Sequence, residues 1–237
     1  PVKVGPGVGD LVPAMMAAYG VMAAVWRAER SGRGQYVDVG MVDAILSLCE
    51  RIVHQFFYQD SVPGPEGSRH PFLSPFGLVP AKDGHVALAC HADEFWAELC
   101  RIMGREELID DPRCNTRDLR AANQDLVYGA VTEFTSKRTR RELMAALGGR
   151  VPFGPVFDVS DIVNDPHFKA RDMIVPLDHP GSATKVAVAG IPIRLSETPG
   201  SVRRRAPLLG EDTDAVLAKL GLAAVEIARL KDANVVR

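Results

Sequence analysis

The sequence has little net charge and lacks the cysteine and histidine spacing of metal sites. It carries 28 Lys and Arg against 30 Asp and Glu, which gives a formal net charge of −2 over 237 residues. This balance lacks the excess of positive charge that is typical of nucleic-acid-binding proteins. The cysteines form no C-x-x-C pair and have no histidine at ligand spacing, which favours reduced thiols over a disulfide framework or a zinc site. We therefore expect no metal, no resident cofactor and no nucleic-acid partner.

A signal peptide and a clear membrane span are also missing. The chain begins Pro-Val-Lys without a basic leader or a cleavage site. The longest uncharged run, 11–26, is short for a membrane span and contains Pro13 and Gly20. Its many small residues predict a helix packed closely inside a cytoplasmic protein, with no membrane partner. Because a buried helix so close to the start is unusual, we also expect that a segment of the same protein precedes this chain.

Asp10 stands at the start of that apolar run and is the only charge between Lys3 and Arg27. Aspartate is a favoured N-cap residue, and Pro13 is tolerated in a first helical turn. Such an aspartate is either a structural cap or a carboxylate at the floor of a pocket, where it acts as a nucleophile or base. Composition alone does not choose between these two interpretations.

Hydrophobic periodicity and turn residues predict helices and short strands around two proline-rich breaks, 59–80 and 151–156. The Asp83-Gly84 pair is the strongest hairpin signal in the chain. The predicted strands cover 35–39, 76–80, 85–91 and 173–178, with an extended edge segment at 191–195. The predicted helices cover 10–30, 43–58, 93–103, 119–134, 139–147, 159–163, 166–172, 213–220 and 223–230.

Several segments follow one another in the order seen in one enzyme family. Asp10 opens a helix of small residues, and the block 30–44 has the form R-x-G-x-G-Q-x-V-D-V-x-M-x-D-A. The hairpin at 81–84 and the segment Pro207-Leu208-Leu209-Gly210-Glu211-Asp212-Thr213 come later. This order resembles the family III CoA-transferases, the group that includes carnitine and formyl-CoA transferases and α-methylacyl-CoA racemase. The resemblance covers essentially the whole chain and begins partway into that family's usual sequence.

The resemblance implies an α/β fold, in which the remainder of a Rossmann-like large domain is joined to a small α+β domain. Residues 1–58 would be the large-domain part, 59–80 a crossing loop, 81–178 the small domain, and 179–237 the return segment with C-terminal helices. The family also implies a homodimer of interlocked rings. Most CoA contacts would lie in a leading segment that is not in this sequence.

The resemblance further implies transfer of CoA between an acyl-CoA donor and a small carboxylic acid, through an aspartyl-CoA thioester on Asp10. Coenzyme A is then a substrate. The loop 69–73 stands where the family often has a glycine-rich loop, and its bulkier residues favour a larger or less polar acid than oxalate. His70 would hydrogen-bond the substrate carboxylate or thioester, unless it is simply an exposed loop histidine. The implied substrate-binding residues are Gly9, Met41, His70, Pro71 and Phe72.

Two alternatives remain open from the sequence. The first is a 2-methylacyl-CoA racemase or epimerase on the same scaffold, in which an Asp and His pair exchanges the proton α to the thioester. The second is a catalytically silent fragment or a subunit completed by a partner segment. Because most CoA contacts would be missing, we expect the isolated 237-residue chain to be inactive.

Overall fold

The protein is described by a computed structural model over residues 4–237, so residues 1–3 of the predicted N-terminal loop lie outside the described residues. The chain packs as two units, a first that ends at Gly154 and a second that covers Pro155–Arg237. Helices and small antiparallel sheets alternate, which confirms a mixed α/β fold. The predicted domain boundaries at 58, 80 and 178 stay a prediction.

Helix α1 (Val8–Ser31) begins earlier than the sequence predicts. Gly7 is the N-cap, so Asp10 is the third residue of the helix and the expectation of an Asp10 N-cap is wrong. Pro13 consequently lies inside the helix, where it supplies no N–H for the carbonyl of Gly9. The C-terminus follows the prediction, since Gly32 adopts a left-handed conformation with φ of 69° and donates its N–H to the carbonyl of Ala28.

The expected burial of α1 is wrong for the chain as described. By length and composition α1 meets the criteria for a membrane span, yet only 11% of its most apolar window is buried. The same criteria are met by core helices of proteins that never enter a membrane, so they do not identify the environment of α1. One face carries exposed apolar residues at helical spacing: Leu11, Met15, Tyr19, Met22 and Trp26. Small apolar residues that pack closely favour burial, but residues 4–237 leave that face exposed.

Residues 32–40 have no regular structure, so the predicted strand at 35–39 is wrong. The segment runs back along α1, since a Cβ on Gly20 would lie 3.0 Å from Cγ1 of Val37. The predicted helix at 43–58 is divided into α2 (Met41–Leu48) and α3 (Ile52–Gln59). The division falls at Glu50, which has a positive φ of 48°.

The hairpin is confirmed. Strands β1 (Phe76–Ala81) and β2 (Gly84–Ala89) pair antiparallel, with Ala81 opposite Gly84 across the Asp83-Gly84 turn. Strand β3 (Phe153–Pro155) adds to the other side of β2 and completes a three-stranded sheet of order β1-β2-β3.

The main hydrophobic core lies between this sheet and the helices that follow it. Its sixteen buried residues all fall between Val79 and Val151, and Trp96 is 1% exposed at its centre. The helices of this part are α4 (Asp93–Met103), α5 (Arg117–Ala122), α6 (Gln124–Thr135) and α7 (Arg140–Leu147), with a short 3-10 turn at Glu106–Leu108.

The break predicted at 59–80 is more ordered than its proline and glycine content indicates. His70 N–H donates to the carbonyl of Phe76, and Leu78 N–H donates to the carbonyl of Ser68. The segment around Arg69 therefore pairs antiparallel with the start of β1. Gly77 allows this approach, because it has a φ of 154° and a Cβ there would lie 2.1 Å from the carbonyl oxygen of Ser68.

The second unit contains helices and a two-stranded sheet with little buried interior. Its helices are α8 (Val159–Asn164), α9 (Pro166–Ala170), α10 (Thr213–Lys219) and α11 (Ala224–Asp232), and its strands are β4 (Ile174–Leu177) and β5 (Val186–Ala189). The strand expected at 173–178 is thus confirmed, whereas 191–195 contains no strand and β5 was not predicted. Among the described residues of this unit, Ile227 is the one apolar residue that is buried.

Candidate active site

Asp10 lies in the first turn of α1 with its side chain exposed. Its carboxylate folds back over the helix start, since a Cβ built on Gly7 would lie 3.0 Å from Asp10 Oδ2. There it lies at the positive end of the helix dipole, although the N–H groups of Val8 and Asp10 already donate to the carbonyls of Pro6 and Gly7. Helix α2 repeats this arrangement, with Gly40 as N-cap and Asp43 as the acidic residue of the first turn. A glycine three residues before the aspartate leaves room for the carboxylate in both helices.

A pocket over Asp10 stays a prediction. Two cavities within the described residues 4–237 are lined by other side chains. One of about 440 Å³ lies between the starts of α4 and α5 and is lined by His91, Asp93 and Thr116. Another of about 450 Å³ lies in the second unit, beside the ion pair between Arg194 and Asp172. The carboxylate of Asp10 is therefore open to whatever approaches the start of α1.

Gly9 and Met41 both lie at the start of a helix. A Cβ on Gly9 would meet no atom within 4 Å, so the backbone beside Asp10 is open to close approach. Met41 is the first residue of α2 and is 54% exposed. The segment before it passes Gly20 while running back towards the start of α1, and α2 packs against α1. The place of Met41 beside Asp10 stays a prediction.

The loop residues His70, Pro71 and Phe72 are held from the side of α6. Gln124 Nε2 donates to the carbonyl of His70 at 3.1 Å and to the carbonyl of Pro71 at 3.3 Å. Next to them Arg69 pairs with Asp125 and stacks over the ring of Tyr128, 4.2 Å from its centroid. The side chains of His70 and Phe72 thus sit on a backbone fixed by several hydrogen bonds.

His70 has a defined ring orientation and protonation. Its Nδ1 accepts the N–H of Phe72 at 3.1 Å, and its ring stacks on that of Phe76 with centroids 5.1 Å apart. Phe76 stacks in turn on His91, at 5.9 Å. Burial, and then the positive charge of Arg51, lower the pKa of His70 from 6.5. The imidazole is therefore neutral at pH 7, with its proton on Nε2, where it can be donated to a ligand.

Arg51 and Glu66 form an ion pair beside this histidine. The guanidinium carbon of Arg51 lies 5.9 Å from the centroid of the Phe72 ring, and Arg51 Nη1 lies 3.7 Å from Glu50 Oε2. The N-terminal end of α3 and the loop 66–72 therefore meet in one polar cluster. Sequence periodicity gives no signal for this cluster, because Glu66 lies within the proline-rich break, where no periodic pattern fixes its position.

The sequence also did not reveal Arg120, which is fully buried at 0% exposure. Its guanidinium donates to the carbonyls of Ser74, Cys114 and His91, and to Asp93 Oδ1 at 2.6 Å. Arg120 thereby ties the end of the loop that carries His70 to the start of α4. An arginine in a short amphipathic helix is normally predicted to be exposed. No sequence pattern therefore distinguishes Arg120 from its neighbours. Within the described part of the chain, no group of three His, Cys, Asp or Glu side chains is placed to hold a metal ion.

Comparison with known proteins gives one consistent family. The sequence profile of CoA-transferase family III matches residues 1–213. The chain is 41% identical to the succinyl-CoA:mesaconate CoA-transferase of Haloarcula hispanica, over 94% of this chain and 56% of that protein. It is 31% identical to the succinate–glutarate CoA-transferase of Agrobacterium fabrum, over 93% of this chain and 55% of that protein. The chain therefore spans a little over half the length of these relatives.

Solved structures agree with this result. A CAIB/BAIF family protein from Brucella suis superposes with a TM-score of 0.74 at 28% identity, covering 93% of this chain and 57% of that chain. A protein from Mycobacterium tuberculosis superposes with the same TM-score of 0.74 at 19% identity, covering 91% of this chain and 56% of that chain, and shares the fold.

Proposed function

Because the chain belongs to CoA-transferase family III, we propose that its protein transfers CoA from an acyl-CoA donor to a carboxylic acid, with Asp10 as the nucleophile. The observation that carries this proposal is the 41% identity with a succinyl-CoA:mesaconate CoA-transferase over 94% of the chain. Other relatives act on L-malate and glutarate. Since all of these acids have two carboxyl groups, we propose succinyl-CoA as donor and a short dicarboxylic acid as acceptor.

The proposed chemistry is covalent catalysis by a carboxylate. Asp10 attacks the thioester carbonyl of the donor, which yields a mixed anhydride and CoA thiolate. The thiolate attacks the aspartyl carbonyl of the anhydride, which releases the donor acid and leaves an aspartyl-CoA thioester. The acceptor carboxylate then attacks this thioester carbonyl, and the expelled thiolate attacks the acceptor's acyl carbonyl. The products are the new acyl-CoA and the free Asp10 carboxylate.

The local structure supports these roles. The positive end of the α1 dipole can stabilise the oxyanions that form at each attack. The open backbone at Gly9 allows a thioester to approach Asp10, and we assign Met41, at the exposed start of α2, to the same site. We assign the neutral Nε2–H of His70 to the substrate carboxylate or thioester, with Pro71 and Phe72 as the apolar wall beside it.

The exposed stripe of α1 supports a larger assembly. Its apolar face from Leu11 to Trp26 would cost free energy if it stayed in water. We propose that it is covered by the part of the relatives' length that these 237 residues do not span, in a cytoplasmic homodimer. On this proposal the cover also closes the site over Asp10 and brings most of the CoA contacts, so the isolated 237-residue chain is inactive.

The test is replacement of Asp10 in the protein at its full natural length. We expect Asp10→Ala to reduce CoA transfer from succinyl-CoA to mesaconate by at least about 10³-fold, because the covalent intermediate is lost. Mass spectrometry of the wild type after incubation with succinyl-CoA should show CoA attached to the peptide that contains Asp10. Asp43→Asn is the matched control, since Asp43 has the same place at the start of α2. Transfer that survives in Asp10→Ala would refute the proposal.

A further inference from the structure

Two buried polar atoms belong to residues one helical turn apart at the start of α3. Gln55 is 6% exposed, and its Oε1 has no hydrogen-bond partner among the described residues 4–237. Arg51 Nε is likewise buried without a partner there. The N–H of Gln55 donates to the carbonyl of Arg51 at 2.9 Å, so the two side chains lie one helical turn apart on the same face. A buried acceptor and a buried donor, both unsatisfied, thus belong to the same face of α3.

Such atoms are costly in a folded protein. Buried polar groups are nearly always hydrogen-bonded, and one left without a partner loses the hydrogen bonds that it makes with water in the unfolded chain. Ser74 Oγ and Thr135 Oγ1 are also buried without a partner, but each is a single hydroxyl surrounded by core. Arg51 differs because it belongs to the polar cluster at the loop that carries His70, where its positive charge lowers the pKa of that histidine.

The charges around the pair indicate the kind of ligand. The positive charge of Arg51 is balanced by Glu66, and Glu50 adds a further negative charge at 3.7 Å. An anion would therefore gain little here. A neutral group that both donates and accepts would satisfy both atoms, since its hydrogen would reach Gln55 Oε1 and its oxygen would accept from Arg51 Nε–H.

We propose that Arg51 and Gln55 form a substrate subsite beside His70 for one neutral group that donates and accepts a hydrogen bond. The inference rests on the proposed CoA transfer. Under that reaction the group is either an amide of the pantetheine arm of CoA or the hydroxyl of a hydroxy acid. Both carry the required donor and acceptor, and kinetics with matched substrates distinguishes them.

The test uses Gln55→Met in the protein at its full natural length, with Gln59→Met at the exposed end of the same helix as the control. If Gln55 Oε1 accepts a hydrogen bond only from a ligand, Gln55→Met leaves the thermal unfolding temperature of the free protein unchanged or raises it. The reason is that the replacement removes an unsatisfied buried amide. In the same variant a KM should rise by about threefold to tenfold, which corresponds to one lost neutral hydrogen bond. Gln59→Met should change neither quantity.

The substrate whose KM changes identifies the group. A higher KM for succinyl-CoA with every acid would assign the pantetheine amide. A higher KM for malate, with that for glutarate unchanged, would assign the acid hydroxyl. Arg51→Lys keeps a positive charge for Glu66 but lacks Nε–H, so it should raise the same KM even if Gln55→Met folds poorly.

Unchanged KM values in both variants would overturn the subsite while leaving CoA transfer intact. A lower unfolding temperature of Gln55→Met with unchanged KM values would assign a structural role to Gln55 and would also overturn it. An absence of transfer in the wild type would remove both the proposed function and the subsite. The wild-type assay therefore separates the two failures.

Discussion

The Nδ1 atom of His70 accepts a hydrogen bond of 3.1 Å from the backbone N–H of Phe72, two residues further along the same loop. A backbone N–H can only donate, so Nδ1 carries no proton and the imidazole proton is on Nε2. The ring is held by stacking on Phe76, which leaves Nε2 as its free polar atom. The loop thus presents one oriented neutral donor, although it lacks the glycines that the family often has there.

This arrangement predicts a pH dependence of folding. Burial and Arg51 lower the pKa of His70 below 6.5, so the unfolded chain binds this proton more readily than the folded protein. Neutral His70 therefore makes its full contribution to the free energy of unfolding above the pKa of the unfolded chain. That contribution is lost as the pH falls through 6.5 towards the lower pKa of the folded protein. In urea unfolding experiments between pH 7.5 and 5, the free energy of unfolding should fall more steeply for the wild type than for His70→Asn. The side-chain oxygen of Asn can still accept the N–H of Phe72. Parallel curves would contradict the prediction.

Much of the small sheet and its helices could be predicted from the sequence, because local residues determine those elements. Asp83 and Gly84 specify a tight turn, and Gly104 ends α4 with a φ of 69°. By contrast, the alternation at 35–39 needs a partner strand to become a sheet, and the described chain supplies none there. Local preference is then insufficient, and the segment packs along α1 instead.

The candidate site could be predicted only in part. Asp10, Met41 and His70 were identified through the family resemblance, but their exposure could not be predicted, since a sequence pattern does not show what covers α1. Arg51 and Gln55 could not be found at all. They were singled out because Arg51 Nε and Gln55 Oε1 are buried without a hydrogen-bond partner among residues 4–237, which a sequence pattern does not show.

Arg120 should contribute strongly to the stability of the core around Trp96. Arg120→Met leaves the carbonyls of Ser74, Cys114 and His91 without their donor, whereas the exposed Asp93 carboxylate regains water, so the free energy of unfolding should fall by about 1–3 kcal/mol. Arg117→Met in the same helix is the control, because Arg117 is exposed and should change stability by less than about 0.5 kcal/mol. Trp96, whose Nε1 donates to the carbonyl of Leu108, reports the transition by fluorescence. Equal unfolding curves for the two variants would contradict this assignment.

Trp26 allows a direct test of what covers α1. It is 59% exposed in this chain, whereas Trp96, the other tryptophan, is 1% exposed. If protein covers α1, acrylamide should quench Trp26 strongly in the 237-residue chain and weakly in the protein at its full natural length, with Trp26→Phe providing the Trp96 background. Equal quenching in the two lengths would refute cover by protein. A lipid partner predicts a different result, a blue shift of Trp26 emission when phosphatidylcholine and phosphatidylglycerol vesicles are added to the full-length protein. Because the stripe from Leu11 to Trp26 would already be buried, we expect no such shift.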